Sequence, residues 1–70
     1  MARYYLNLNP QLTGEREVHK DGCSWLTQVK NPEYLGAFLS CQSAVAEARR
    51  KHPSYTIDGC AHCIPDCHTR

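Results

Sequence analysis

The residues of this chain whose types could do chemistry are five cysteines and four histidines, and most of them fall into closely spaced pairs. Cys60-Ala61-His62-Cys63 is a Cys-x-x-Cys. Two intervening residues let both sulfurs reach one tetrahedral ion at about 2.3 Å. His19-Lys20-Asp21-Gly22-Cys23 places a histidine and a cysteine four apart across a turn, a spacing that also lets two ligands converge. The two pairs together make a candidate zinc site of His19, Cys23, Cys60 and Cys63. Asp-Gly-Cys occurs twice, at 21–23 and 58–60, so that a turn presents a thiol in both places. Glycine there lets backbone N–H groups approach a thiolate closely.

Other chemistry is open to the same residues. Cys60 and Cys63 also read as a redox dithiol, although a thioredoxin-type motif opens a helix, and here Pro65 follows closely. Cys67 and His68 compete with His19 for the fourth ligand position. A single histidine on an edge strand is often only solvated. Cys41 lies on an apolar helical stripe and reads as a buried core thiol. His52 and His62 read as surface residues.

An odd number of cysteines excludes complete intramolecular pairing. The N-terminus has no apolar core or cleavage site of a signal peptide, and the longest apolar-rich stretch, 34–39, is far too short to span a bilayer. These features point to the cytoplasm. Thiols stay reduced there, and clustered cysteine reads as metal or redox chemistry rather than as disulfides.

Seventy residues are enough for a single domain, 1–70. With one Trp, one Phe and one Met, few large side chains are available for a core, so a staple is expected. A net charge of +1 forces neither nucleic acid nor an acidic membrane as partner. The one cationic cluster, Arg49-Arg50-Lys51, reads as a solvated helix end. No glycine-rich phosphate loop, nucleophile-elbow serine or His-Glu-x-x-His is present, which leaves hydrolytic readings without support.

The elements that must position the ligands can be read from periodicity. Residues 3–9 alternate, with Tyr4, Leu6 and Leu8 on one side, which predicts a half-buried strand. Pro10 ends it and 10–14 supply a turn. Residues 15–20 read as a weakly apolar second strand at a sheet edge, forming an antiparallel hairpin with the first. Asp21-Gly22 is a turn, and Trp25 and Leu26 are candidate core plugs from the loop. A short strand over 34–39 follows, with Gly36 as a point of close backbone approach. Ser40 is a suitable N-cap for a helix over 41–51, whose residues Cys41, Ala44, Val45 and Ala48 share one face. Pro53 ends it, 54–57 are extended, and Asp58-Gly59 reads as a second turn. The expected fold is α+β: a three-stranded, largely antiparallel sheet with one main helix, stapled by zinc.

His19, Cys23, the run Tyr34-Leu35-Gly36-Ala37-Phe38-Leu39-Ser40, Ala44, Ala48, Cys60 and Cys63 form a pattern over about residues 16–63. It resembles the zinc-binding module of the Ada DNA-repair methyltransferase, and more closely the Ada-like modules appended to some bacterial nucleases. The whole chain also looks like a group of short bacterial proteins that begin with Tyr-Tyr-Leu-Asn and end with Cys-His-Thr. The resemblance implies a small α+β zinc fold with His19, Cys23, Cys60 and Cys63 as ligands. The sequence departs from the pattern in a longer stretch between helix and Cys-x-x-Cys, in Gly59 where a proline is usual, and in the added Cys67-His68 tail. The Ada methyl-acceptor activity needs an exposed thiolate and a DNA-docking surface, and the near-neutral charge gives no sign of the latter.

Three functions follow as expectations. The first is a non-enzymatic zinc module, structural or binding a macromolecular partner, protein or nucleic acid, through exposed tyrosines such as Tyr5 and Tyr55, with no membrane and a homodimer allowed. The second is a thiol-redox or metal-handling protein. The third is a metal-free domain held by disulfides or dimerisation.

Overall fold

The computed structural model describes residues 1–69. Strand β1 (Ala2–Asn7) buries Tyr4 and Leu6 and leaves Arg3 exposed and Tyr5 and Asn7 partly open, as its alternation requires. It pairs antiparallel with β2 (Arg16–Lys20), with Tyr5 opposite His19 and Leu6 opposite Val18. On its other side β1 pairs antiparallel with β3 (Pro32–Phe38). The register shifts between Tyr4 and Tyr5, where the partners pass from Gly36 to Tyr34. Gly36 takes φ +130° at this irregularity, a conformation that side chains oppose.

Helix α1 (Cys41–Lys51) is capped by Ser40, whose Oγ accepts the Ser43 N–H at 3.3 Å. Cys41, Ala44, Val45 and Ala48 are its buried face, as expected from their spacing. They pack with Tyr4, Leu6, Val18, Leu35 and Ile57 into one core. Among the described residues, only Leu6 and Val18 are sizeable side chains wholly shielded from solvent, so the core is thin.

The expected α+β class with one helix is present, but the sheet has four strands and is mixed. Strand β4 (Ile57–Gly59) adds parallel to β2, giving the order β3-β1-β2-β4. Two expectations change as a result. The second strand is interior, not an edge: its neighbours are β1 and β4. Asp58-Gly59 is not a turn but the end of β4, and its pairing continues when the Cys60 N–H donates to the Val18 carbonyl at 2.9 Å. Glycine stands at 59 for space, since a Cβ there would lie 2.8 Å from the Cys67 backbone. A three-residue strand shows no period of its own, and parallel pairing reached through β3 and α1 is a long-range event that no local pattern encodes.

A further correction concerns the cysteines. Cys41 and Cys67 form a disulfide that joins the start of α1 to the 3₁₀ turn Pro65–Cys67. Cys41 is thus not a free core thiol. The odd count resolves into one bridge and three free thiols, Cys23, Cys60 and Cys63. Trp25 does not plug the core but is half exposed, while Leu26 packs against it. Tyr55 is not free either: the Arg16 guanidinium lies 3.6 Å from its ring centroid, and His52 stacks against it and meets Glu33 at 2.6 Å.

Candidate metal centre

Two chain segments carry the four candidate ligands to one point. His19 is on β2 with its ring on the side away from Val18, because alternate residues of a strand face opposite ways. The turn at Asp21-Gly22 follows, with Gly22 at φ +88°, and returns Cys23 towards the end of β2 through a Cys23 N–H to Lys20 carbonyl bond of 3.0 Å. The parallel pairing of β4 with β2 carries Cys60 alongside, and the turn after it brings Cys63.

The donor atoms of His19, Cys23, Cys60 and Cys63 all lie within 4.8 Å of one another. Cys23 Sγ is 4.0 Å from Cys60 Sγ and 3.8 Å from His19 Nδ1. A tetrahedral zinc ion separates two sulfurs by about 3.8 Å, and a sulfur from an imidazole nitrogen by about 3.6 Å. The residues are therefore close enough to hold a metal ion, and their sulfur and nitrogen donors fit a zinc-like ion. His19, Cys23 and Cys60 are buried and Cys63 is partly exposed.

The surroundings act on each group differently. Burial lowers the pKa of His19 and keeps its imidazole neutral, the form that binds metal. Burial pushes the Cys23 thiol up, but the Cys63 thiol and the N–H groups of Trp25 and Leu26 outweigh it and hold Cys23 below the ordinary thiol range. Cys63 is pushed up to about 12, by burial first and then by its sulfur neighbours, against the Lys20 N–H that donates to its Sγ at 3.3 Å. Converging sulfurs cannot all ionise by themselves, and a shared divalent cation removes that conflict.

Both rivals for the fourth position are held elsewhere. Cys67 is in the disulfide. His68 donates from Nδ1 to the Gly59 carbonyl at 2.9 Å, with Asp58 Oδ2 at 3.4 Å. Asp58 is itself buried and accepts from the N–H groups of Gly59 and Thr69 and the Thr69 hydroxyl, so the tail after the Cys-x-x-Cys is tied to β4. His62 is exposed as expected, but it also joins the two ligand loops: its Nε2 is 3.1 Å from Ser24 Oγ, and its ring meets the Trp25 edge.

Periodicity alone did not bring Glu17 into view. It shares the His19 face of β2, its Oε1 lies 3.9 Å from His19 Nε2, and the Gln11 side-chain amide donates to that same oxygen at 3.2 Å. An i, i+2 pair of acid and histidine on a strand was the available signal. Glu17, His19, Cys60, Trp25 and Val29 border a cleft of about 610 Å³ beside the cluster. Comparison of the chain with protein-family models, with curated proteins and with solved structures finds no match.

Proposed function

We propose that this chain is a non-enzymatic zinc module in which His19, Cys23, Cys60 and Cys63 bind one ion and the folded surface serves a macromolecular partner. The observation that carries this reading is the convergence of three thiols and one imidazole, from segments 37 residues or more apart across the loop between Cys23 and Cys60, within 4.8 Å. Four protein ligands complete a tetrahedral shell and leave no position for substrate or activated water, which is the pattern of a structural site. The Ada-like resemblance assigns ligand roles to the same four positions. Native mass spectrometry of protein purified without chelator tests the proposal. One zinc per chain, with Cys41 and Cys67 oxidised and three thiols protected from alkylation, supports it. Less than half an equivalent of metal overturns it.

One observation favours a second reading. Cys63 is partly exposed and, with Cys23, lines a second pocket that shares His62 with the Glu17 cleft. Such access suits a metal-handling protein whose ion exchanges. Rapid transfer of zinc to a competing chelator, with the disulfide and the fold retained, would favour exchange over a fixed staple.

A further inference from the structure

Among the described residues, the buried side-chain nitrogen left without a hydrogen-bond partner is His19 Nε2. The His19 ring is buried, and its other nitrogen, Nδ1, is the one that faces Cys23 Sγ at 3.8 Å. An imidazole that gives Nδ1 to a metal must carry its proton on Nε2. That N–H then needs an acceptor, since burying a donor without one is unfavourable. The charged group in reach is the Glu17 carboxylate, with Oε1 3.9 Å away. Glu17 is four-fifths shielded on its side chain and is steadied by the Gln11 amide at 3.2 Å. A small rotation of its side chain closes the remaining gap of about 1 Å to hydrogen-bond length.

The geometry points to Glu17 as the positioning residue of the metal centre, its carboxylate taking the Nε2–H of His19 and so committing Nδ1 to the ion. This rests on the zinc reading above and adds to it a carboxylate–histidine–metal relay that starts at Gln11. The relay has three consequences. It fixes the tautomer of His19, it holds the ring plane, and it makes the imidazole a stronger donor to the metal. It also places control of the imidazole ligand at the edge of the cleft, where Gln11 and Glu17 meet solvent.

The test uses the full chain loaded with ¹¹³Cd²⁺ and labelled with ¹⁵N, together with Zn²⁺ competition against a chelator. In the wild type, ¹¹³Cd coupling is expected at Nδ1 of His19, with Nε2 protonated. Glu17→Ala is expected to weaken Zn²⁺ binding roughly 10- to 100-fold. Glu17→Gln keeps an acceptor oxygen and is expected to recover most of that loss, whereas Glu17→Met, of similar volume but without an acceptor oxygen, is not; neither charge alone nor packing alone predicts both results. Circular dichroism of the metal-loaded variants checks that the fold is kept; should Glu17→Ala not fold, Glu17→Gln and the tautomer of the wild type still decide the matter. Equal affinity of the wild type and Glu17→Ala, or coupling at Nε2, overturns the role of Glu17 while leaving the zinc reading intact. Absence of bound Cd²⁺ and Zn²⁺ in the wild type overturns both.

Discussion

At the residue scale, the cluster is asymmetric in what each ligand would lose. Cys60 is buried at the end of β4 and its N–H is engaged with Val18, so it has little freedom to be replaced by water. Cys60→Ser is expected to abolish stoichiometric zinc and to cost on the order of 4 kcal/mol or more, the range seen when a structural metal is lost. Metal analysis and thermal melting check both. Cys63→Ser is expected to be milder in folding, because its side chain is partly exposed, yet equally damaging to zinc retention. The pH dependence has a definite sign. Each ligand must be free of its proton to bind, and Cys63, pushed up to about 12, holds its proton firmly until metal arrives. Zinc affinity is therefore expected to fall as pH is lowered from 8 to 6, with protons released on binding, which isothermal titration in buffers of different ionisation enthalpy reads directly.

At the scale of elements, the short β4 and the turn that follows the Cys-x-x-Cys hold the second pair of candidate ligands in place. Gly59 lets the Cys67 backbone pass where a methyl group would stand at 2.8 Å. Gly59→Ala is expected to destabilise the protein by about 1–3 kcal/mol through overpacking. Denaturant melts check the stability, and slower zinc uptake is the accompanying sign that Cys60 and Cys63 have moved. The disulfide ties the same turn to the start of α1 across 26 residues of sequence. Cys41→Ser is expected to cost roughly 2–4 kcal/mol, since the bridge restricts the unfolded chain over a loop of that length. Zinc stoichiometry should survive this change, because neither Cys41 nor Cys67 belongs to the four-residue cluster.

For the whole molecule, the disulfide and the proposed metal would together compensate for a thin core. The disulfide joins α1 to the C-terminal turn, and the proposed metal joins the loop after β2 to the loop after β4. The loops they would close overlap between residues 41 and 60, and Cys63 and Cys67 lie four residues apart, so their contributions are expected to be coupled rather than additive. Chelation with the disulfide intact is expected to lower the melting temperature. Chelation plus a dithiol reductant is expected to unfold the chain cooperatively at room temperature. For a domain of this size each kcal/mol shifts the midpoint by roughly 4–8 °C, so calorimetry can separate the two links. Among the described residues no helix is long and apolar enough to cross a membrane, and Tyr34, Trp25 and Leu39 are exposed.

What the sequence determined by itself was whatever depends on neighbours in the chain. The alternation of Tyr4 and Leu6, the apolar face of α1, its Ser40 cap and the convergence allowed by His19–Cys23 and Cys60–Cys63 are all short-range, because period and spacing act over one or two turns of backbone. Tertiary structure decided the rest. Whether the two pairs meet depends on β4 lying parallel to β2, a pairing made across the intervening β3 and α1. Cys41 became a bridge rather than a core thiol because folding sets the start of α1 against the turn that carries Cys67. That same bridge occupies Cys67, and Gly59 and Asp58 engage His68, so both rivals of His19 have other partners. The four-residue cluster that spacing allowed is accompanied by a disulfide that spacing could not show, since which thiols pair is a matter of distance in space and not of distance along the chain.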